Sequence, residues 1–182
     1  MLAPSTANAE EVFRNCDGVT NQEISECIES RYKISDSQLN AVYQKKLSTI
    51  SAKQRKQFIE TQRAWISFKE RHCDIVYESI SPGQEAPIEK YICLWKATDD
   101  RVREINRIGG STINDEFYNF VLSLQTLGFS RSEMLSKLRD RYINEEGGWQ
   151  DYADQNCRFT ELISSENFEI CMARLAAQRG SN

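Results

Sequence analysis

The chain has 182 residues, enough for one ordinary domain or two small ones, and enough to bury about two thirds of its unfolded surface. Hydrophobic residues make up 40% and charged residues 27%, with only 8 glycines and 3 prolines, which excludes a disordered, collagen-like or proline-rich chain. The net charge of −4 argues against nucleic acid as the main partner, and no apolar run is long enough for a membrane span.

The first residues, from Met1 to Ala9, have neither the basic start nor the hydrophobic core of a signal peptide. Residues 1–15 read as a loose tether. Thr20-Asn21-Gln22-Glu23 has the form of a capping box, and Ile24, Ile28, Tyr32, Leu39, Val42, Tyr43 and Leu47 follow it at helical spacing. Ser35-Asp36-Ser37 either interrupts this helix or caps a second one. Ser51-Ala52-Lys53-Gln54 is another capping box. It opens a long stripe through Phe58, Gln62, Trp65, Phe68 and Cys73 that Ser81-Pro82-Gly83 ends. A third helix is expected from about Pro87 to Ile108, closed by Gly109-Gly110.

Beyond it, Phe117, Phe120, Val121, Leu124 and Leu127 form the next stripe, stopped by Gly128. Ser130-Arg131-Ser132-Glu133 reads as a further capping box, followed by Met134, Leu135, Leu138 and Tyr142. Gly147-Gly148 breaks the chain, and two short helices are expected at about 149–162 and 166–178. No segment reads as a strand. The expected fold is all-α, built of disulfide-stapled antiparallel helical hairpins. It divides into residues 16–109 and a second helical part, 110–182.

Charge is uneven between these parts. Residues 1–109 hold 16 basic and 16 acidic residues, whereas residues 110–182 hold 7 and 11. The one basic stretch, Lys45, Lys46, Lys53, Arg55 and Lys56, reads as the solvated end of a helical hairpin, or else as a contact for phosphate or anionic lipid.

Six cysteines stand at 16, 27, 73, 93, 157 and 171, with no C-x-x-C pair and His72 as the only histidine. That spacing suits neither a zinc site nor a thioredoxin-like redox pair. It suits three disulfides in an exported protein, with buried free thiols in a cytosolic protein as the alternative. Cys73 and Cys93 lie ten residues either side of Gly83, and Cys157 and Cys171 seven either side of Ser164. Antiparallel hairpins turning there bring each pair together, which leaves Cys16 for Cys27.

The two hairpins also resemble each other. Trp65 is followed by Phe68 and Cys73; Trp149 is followed by Tyr152 and Cys157. Each then has a polar turn and a returning cysteine, Cys93 with Arg101 after it, and Cys171 with Arg174 and Arg179. This pattern reads as a partial internal repeat.

Asp36-Ser37-Gln38-Leu39-Asn40-Ala41-Val42-Tyr43 resembles the D-x-x-L-N-x-x-Y segment of LprI-like lysozyme inhibitor domains. Gln62-Arg63-Ala64-Trp65-Ile66, continuing to Cys73, resembles that family's second segment, and Cys93, Thr98 and Arg101 its third. The resemblance covers about residues 16–108. Lys69 stands where the family usually has arginine, which puts a planar bidentate contact there in question. The resemblance implies a periplasmic, secreted or lipid-anchored helical protein that inhibits lysozyme. Trp65 and Tyr43 read as core aromatics, Asn40 and Thr98 as helix-packing hydrogen-bond formers, and Asp36 as a helix cap.

Catalytic machinery is not legible. His72 and Cys73 are sequence neighbours that point about 100° apart on a helix. Glu85 with Glu89, and Asp99 with Asp100, lack an apolar context that would raise one pKa. No glycine-rich phosphate loop follows a strand. The expectation is a binding protein without cofactor or metal. Its partner would be a protein, either a muramidase or a peptidoglycan-targeting toxin. The projecting elements that could meet it are the Ser81–Pro87 loop with Glu85 and the turn with Glu145 and Glu146. The alternatives are an immunity protein against a periplasm-delivered toxin and a non-inhibitory envelope interaction module.

Overall fold

Two capping boxes launch the two longest helices. Thr20 Oγ1 accepts the Glu23 amide at 3.2 Å while the Glu23 carboxylate accepts the Thr20 amide at 3.0 Å. Ser51 and Gln54 repeat the arrangement. Each box satisfies two amides that a helix start would otherwise leave unpaired. In the computed structural model the described residues are 16, 18, 20–109, 116–141, 147–164 and 166–179. They form α1 (Asn21–Thr49), α2 (Ala52–Ile80), α3 (Ala86–Arg107), α4 (Glu116–Thr126), α5 (Arg131–Asp140), α6 (Trp149–Ile163) and α7 (Phe168–Arg179). No strand occurs among them, so the fold is all-α.

Helix α1 runs unbroken through Ser35-Asp36-Ser37, which neither interrupts it nor caps a second helix. Tertiary contacts explain why. Ser35 is buried and its hydroxyl donates to Asp99 Oδ1 on α3 at 3.3 Å, while Asp36 accepts from Asn40 one turn on. Both side chains are therefore kept from competing for the backbone. The contacts Ser35–Asp99 and Lys46 Nζ to the Ile108 carbonyl lay α1 parallel to α3. Helices α2 and α3 run antiparallel, stapled by Cys73–Cys93. Helices α6 and α7 form the second stapled hairpin through Cys157–Cys171, and Cys16–Cys27 ties the chain before α1 to its first turns. Their Cα separations of 5.5–5.6 Å lie in the ordinary disulfide range.

The expected capping box at Ser130 does not form. Ser130 Oγ contacts Ser132 Oγ at 3.0 Å, and no side chain caps α5. Ser130 precedes the helix and Ser132 lies in its first turn, both exposed, and their hydroxyls share one hydrogen bond.

The hairpins share one core. Leu39, Phe58, Trp65, Phe68, Ile105 and Ile108 from the first part pack with Trp149, Tyr152, Phe159, Met172 and Leu175 from the second. Phe58 stacks on Phe159 with ring centroids 5.0 Å apart, and Phe68 on Tyr152 at 5.7 Å. Helices α4 and α5 add a smaller cluster, in which Phe117 and Val121 meet Ala173 with Met134, Leu135 and Leu138 around them.

Candidate functional site

The tip of the α2–α3 hairpin is one candidate contact surface. Residues 81–85 turn there through a cis Ser81–Pro82 bond, and Pro82, Gln84 and Glu85 are exposed while Ala86 and Ile88 behind them are buried. Pro87 sits in the first turn of α3, where its missing N–H is harmless. Glu85 occupies the N-cap of α3 without making a side-chain cap bond, so its carboxylate is not consumed by the helix. Glu145 and Glu146 lie outside the described residues.

A second feature lies where the two hairpins face each other. A cleft of about 370 Å³ is lined by Trp65, Phe68 and Arg101 of the first hairpin and by Trp149, Tyr152 and Arg179 of the second. These are matching positions. Each tryptophan precedes its aromatic partner by three residues, and each arginine follows its returning cysteine by eight. The arginines cross over. The Arg101 guanidinium lies 5.4 Å from the Tyr152 ring centroid, and that of Arg179 lies 5.2 Å from Phe68. Each hairpin thus sets its cation on the other's aromatic ring, a reciprocity expected of a two-fold-like contact. The Trp-to-Cys spacing was legible in the sequence. The paired arginines were the stronger signal within it, because only their equal offset from the cysteines singles out Arg179 over Arg174.

Arg174 does something else. It is fully buried and reaches two carboxylates, donating from Nη1 to Glu104 Oε2 at 2.5 Å and from Nη2 to Glu166 Oε2 at 2.9 Å. Asn156 Nδ2 donates to Glu104 Oε1 at 2.8 Å, and Arg101 Nη1 donates to Asn156 Oδ1 at 2.6 Å. Arg101 Nε donates to Gln62 Oε1 at 2.9 Å. The buried chain from Gln62 to Glu166 therefore crosses from α2 through α3 and α6 to α7. Burial opposes the charge on Glu104, but Arg174 beside it, with help from Asn156 and Arg101, holds its pKa below the ordinary value. The same carboxylates raise Arg174 against its own burial.

The remaining motif residues are mostly structural. Leu39 and Trp65 are buried, and Tyr43 packs on Phe58 at 5.0 Å. Asn40 is exposed and bonds only within its own helix, to Asp36, so it is not a helix-packing contact. Asp36 lies in the middle of α1 and caps nothing. Thr98 is fully buried, but its hydroxyl has no hydrogen-bond partner, contrary to the bond expected of it. Lys69, in the arginine position, is buried and donates to the Tyr32 hydroxyl at 3.1 Å while lying over the Tyr32 and Trp65 rings. A single ammonium contact replaces any planar fork.

His72 stacks on Phe68 at 5.5 Å beside the cleft. Burial, then the nearby Arg179 charge, push its pKa down. Cys73, next to it, is locked in a disulfide.

The architecture is thus a helical, disulfide-stapled protein, with aromatic and arginine residues concentrated where its hairpins meet. Residues 15–105 match the family model of lysozyme inhibitor LprI, half of the chain, and the protein belongs to that family. No curated protein and no solved structure matches the chain. The disulfides and the family are consistent with an extracytoplasmic location. Among the described residues, no helix is long and apolar enough to cross a membrane.

Proposed function

We propose that this protein binds and inhibits a lysozyme-like, peptidoglycan-degrading enzyme in the periplasm or outside the cell, without turnover of its own. The family match carries this reading. Two structural features support it. The Ser81–Glu85 tip is exposed on a hairpin braced by Cys73–Cys93, so it can meet a partner with little ordering cost. The excess of acidic residues in 110–182 would steer that part toward a cationic enzyme. On this reading residues 1–15 are a tether, 16–109 the inhibitor domain, and 110–182 an added helical part that completes its core. An immunity protein against a delivered muramidase would use the same surfaces and differ only in its target.

The test is titration of purified protein into muramidase assays, with a panel that includes any co-encoded toxin. Inhibition that slows in onset as salt rises is expected. Glu85→Lys should weaken it while leaving the unfolding midpoint unchanged, because Glu85 makes no cap bond. Absence of binding to every enzyme of the panel in the tens-of-micromolar range would defeat the inhibitor reading and favour an envelope interaction module.

A further inference from the structure

We infer that the cleft between the two hairpins is a binding site for a small carboxylate carried on a flat ring. Arg101 lines that cleft. This side chain is 1% exposed, and all its hydrogen-bond partners, Gln62, Asn156 and Tyr152, are neutral. Its Nη2 has no partner at all. A buried guanidinium is normally paired with a carboxylate, because an uncompensated charge inside a protein costs several kcal/mol. Glu104, which Arg101 reaches only through Asn156, already accepts two bonds from Arg174. Asp100, which also lines the cleft, is paired with Arg103. Arg101 therefore meets Glu104 only through Asn156 and by its charge, and it keeps one donor unused beside the cleft.

The walls define the rest of the ligand. Trp65, Phe68, Trp149 and Tyr152 supply aromatic surfaces on both sides, and Arg179 places a second guanidinium over Phe68 and Trp149. A volume of about 370 Å³ falls at the small end of ligand pockets. Lys96, Arg101 and Arg179 balance Glu89, Asp100 and Glu104 in the lining, so the anion preference rests on the unused Arg101 donor, whose planar fork suits a carboxylate. The aromatic walls favour a ring beside it. His72 Nδ1 lies 3.5 Å from Arg179 Nη2 at the cleft wall. In the free protein Nη2 is closed to solvent, so binding includes a side-chain shift at the cleft floor. The site stands apart from inhibition, since the cleft shares no residue with the Ser81–Glu85 tip.

The experiment follows the indole N–H signals of the isotope-labelled full chain by nuclear magnetic resonance. The probes are 3-phenylpropionate and its uncharged amide. Trp65 and Trp149 line the cleft, whereas Trp95 does not and serves as the control. The carboxylate should shift the first two signals and spare the third, and the amide should bind about tenfold more weakly or worse. Arg101→Gln should bring the carboxylate down to the level of the amide. Because Arg101 is buried and its loss threatens folding, Ala97→Phe supplies a second variant. It fills the cleft from a lining position outside the polar network, and should abolish binding without lowering the unfolding midpoint. Equal binding of acid and amide, shifts that persist in a folded Ala97→Phe protein, or no response to millimolar 3-phenylpropionate would each overturn the site.

Discussion

Residues 20–109 are three helices of 22 to 29 residues, whereas residues 116–179 are four helices of 10 to 15. Residues 1–109 carry both completed capping boxes and no net charge. Residues 110–182 carry all of the acidic excess and, among the described residues, no completed box. Neither closes a core alone. Phe58, Trp65 and Phe68 on α2 are covered by α6 and α7. Helix α4 buries Phe117 and Val121 but leaves Phe120 and Leu122 about half exposed. The contrast shows that the part outside the family match contributes half of the apolar interior and both carboxylate-binding ends of Arg174. Short helices of weak intrinsic stability are held in place by that shared interior.

Three perturbations would break or sharpen this comparison. The largest is Arg174→Met, which removes the cation that Glu104 and Glu166 share in the interior. It should cost about 3–5 kcal/mol, the range for a broken buried ion pair, because Glu104 loses its directly bonded cation and Glu166 keeps only Arg107 at 3.3 Å. Denaturant unfolding watched by the tryptophans should move to lower midpoint as one transition. Two separated transitions would show that the parts fold independently.

Next come two core deletions of unequal size. Trp65→Ala, in the shared core, should cost about 3–5 kcal/mol. Val121→Ala, in the smaller α4–α5 cluster, should cost about 1.5 kcal/mol from two buried carbon groups. Equal losses in thermal or denaturant melts would mean that the small cluster is as central as the large one.

The smallest effect is a pH dependence. Glu104 has a folded-state pKa below its ordinary 4.5. Its contribution is therefore full above that value and is lost as the pH falls through the depressed folded pKa. The stability gap between the parent and Glu104→Gln should narrow on acidification below about pH 4.5. A gap that stays constant would show that Glu104 is not charged in the folded protein.

Much of the helical framework was legible because its signals are local. Thr20-x-x-Glu23 and Ser51-x-x-Gln54 are complete within four residues, and both form. Ser130-x-x-Glu133 looks the same in sequence but fails, since Ser132 offers a competing hydroxyl that the pattern ignores. Ser35-Asp36-Ser37 misleads for the opposite reason: its partner Asp99 is sixty-four residues away. The cleft was only half legible. Trp65 and Trp149 with their cysteines announce matching hairpins. The crossing of Arg101 and Arg179 onto opposite rings depends on how those hairpins dock, which no spacing along one hairpin encodes.

The disulfides carry one further consequence. They join the first cysteine to the second, the third to the fourth and the fifth to the sixth, over separations of 11, 20 and 14 residues. A chain that emerges into an oxidising compartment from its N-terminus therefore presents each cysteine's correct partner as the next to arrive. Simple oxidation in order of appearance yields the native set, and no bond needs to be undone. Maturation of this protein should accordingly depend on a thiol oxidase and be indifferent to loss of a disulfide isomerase.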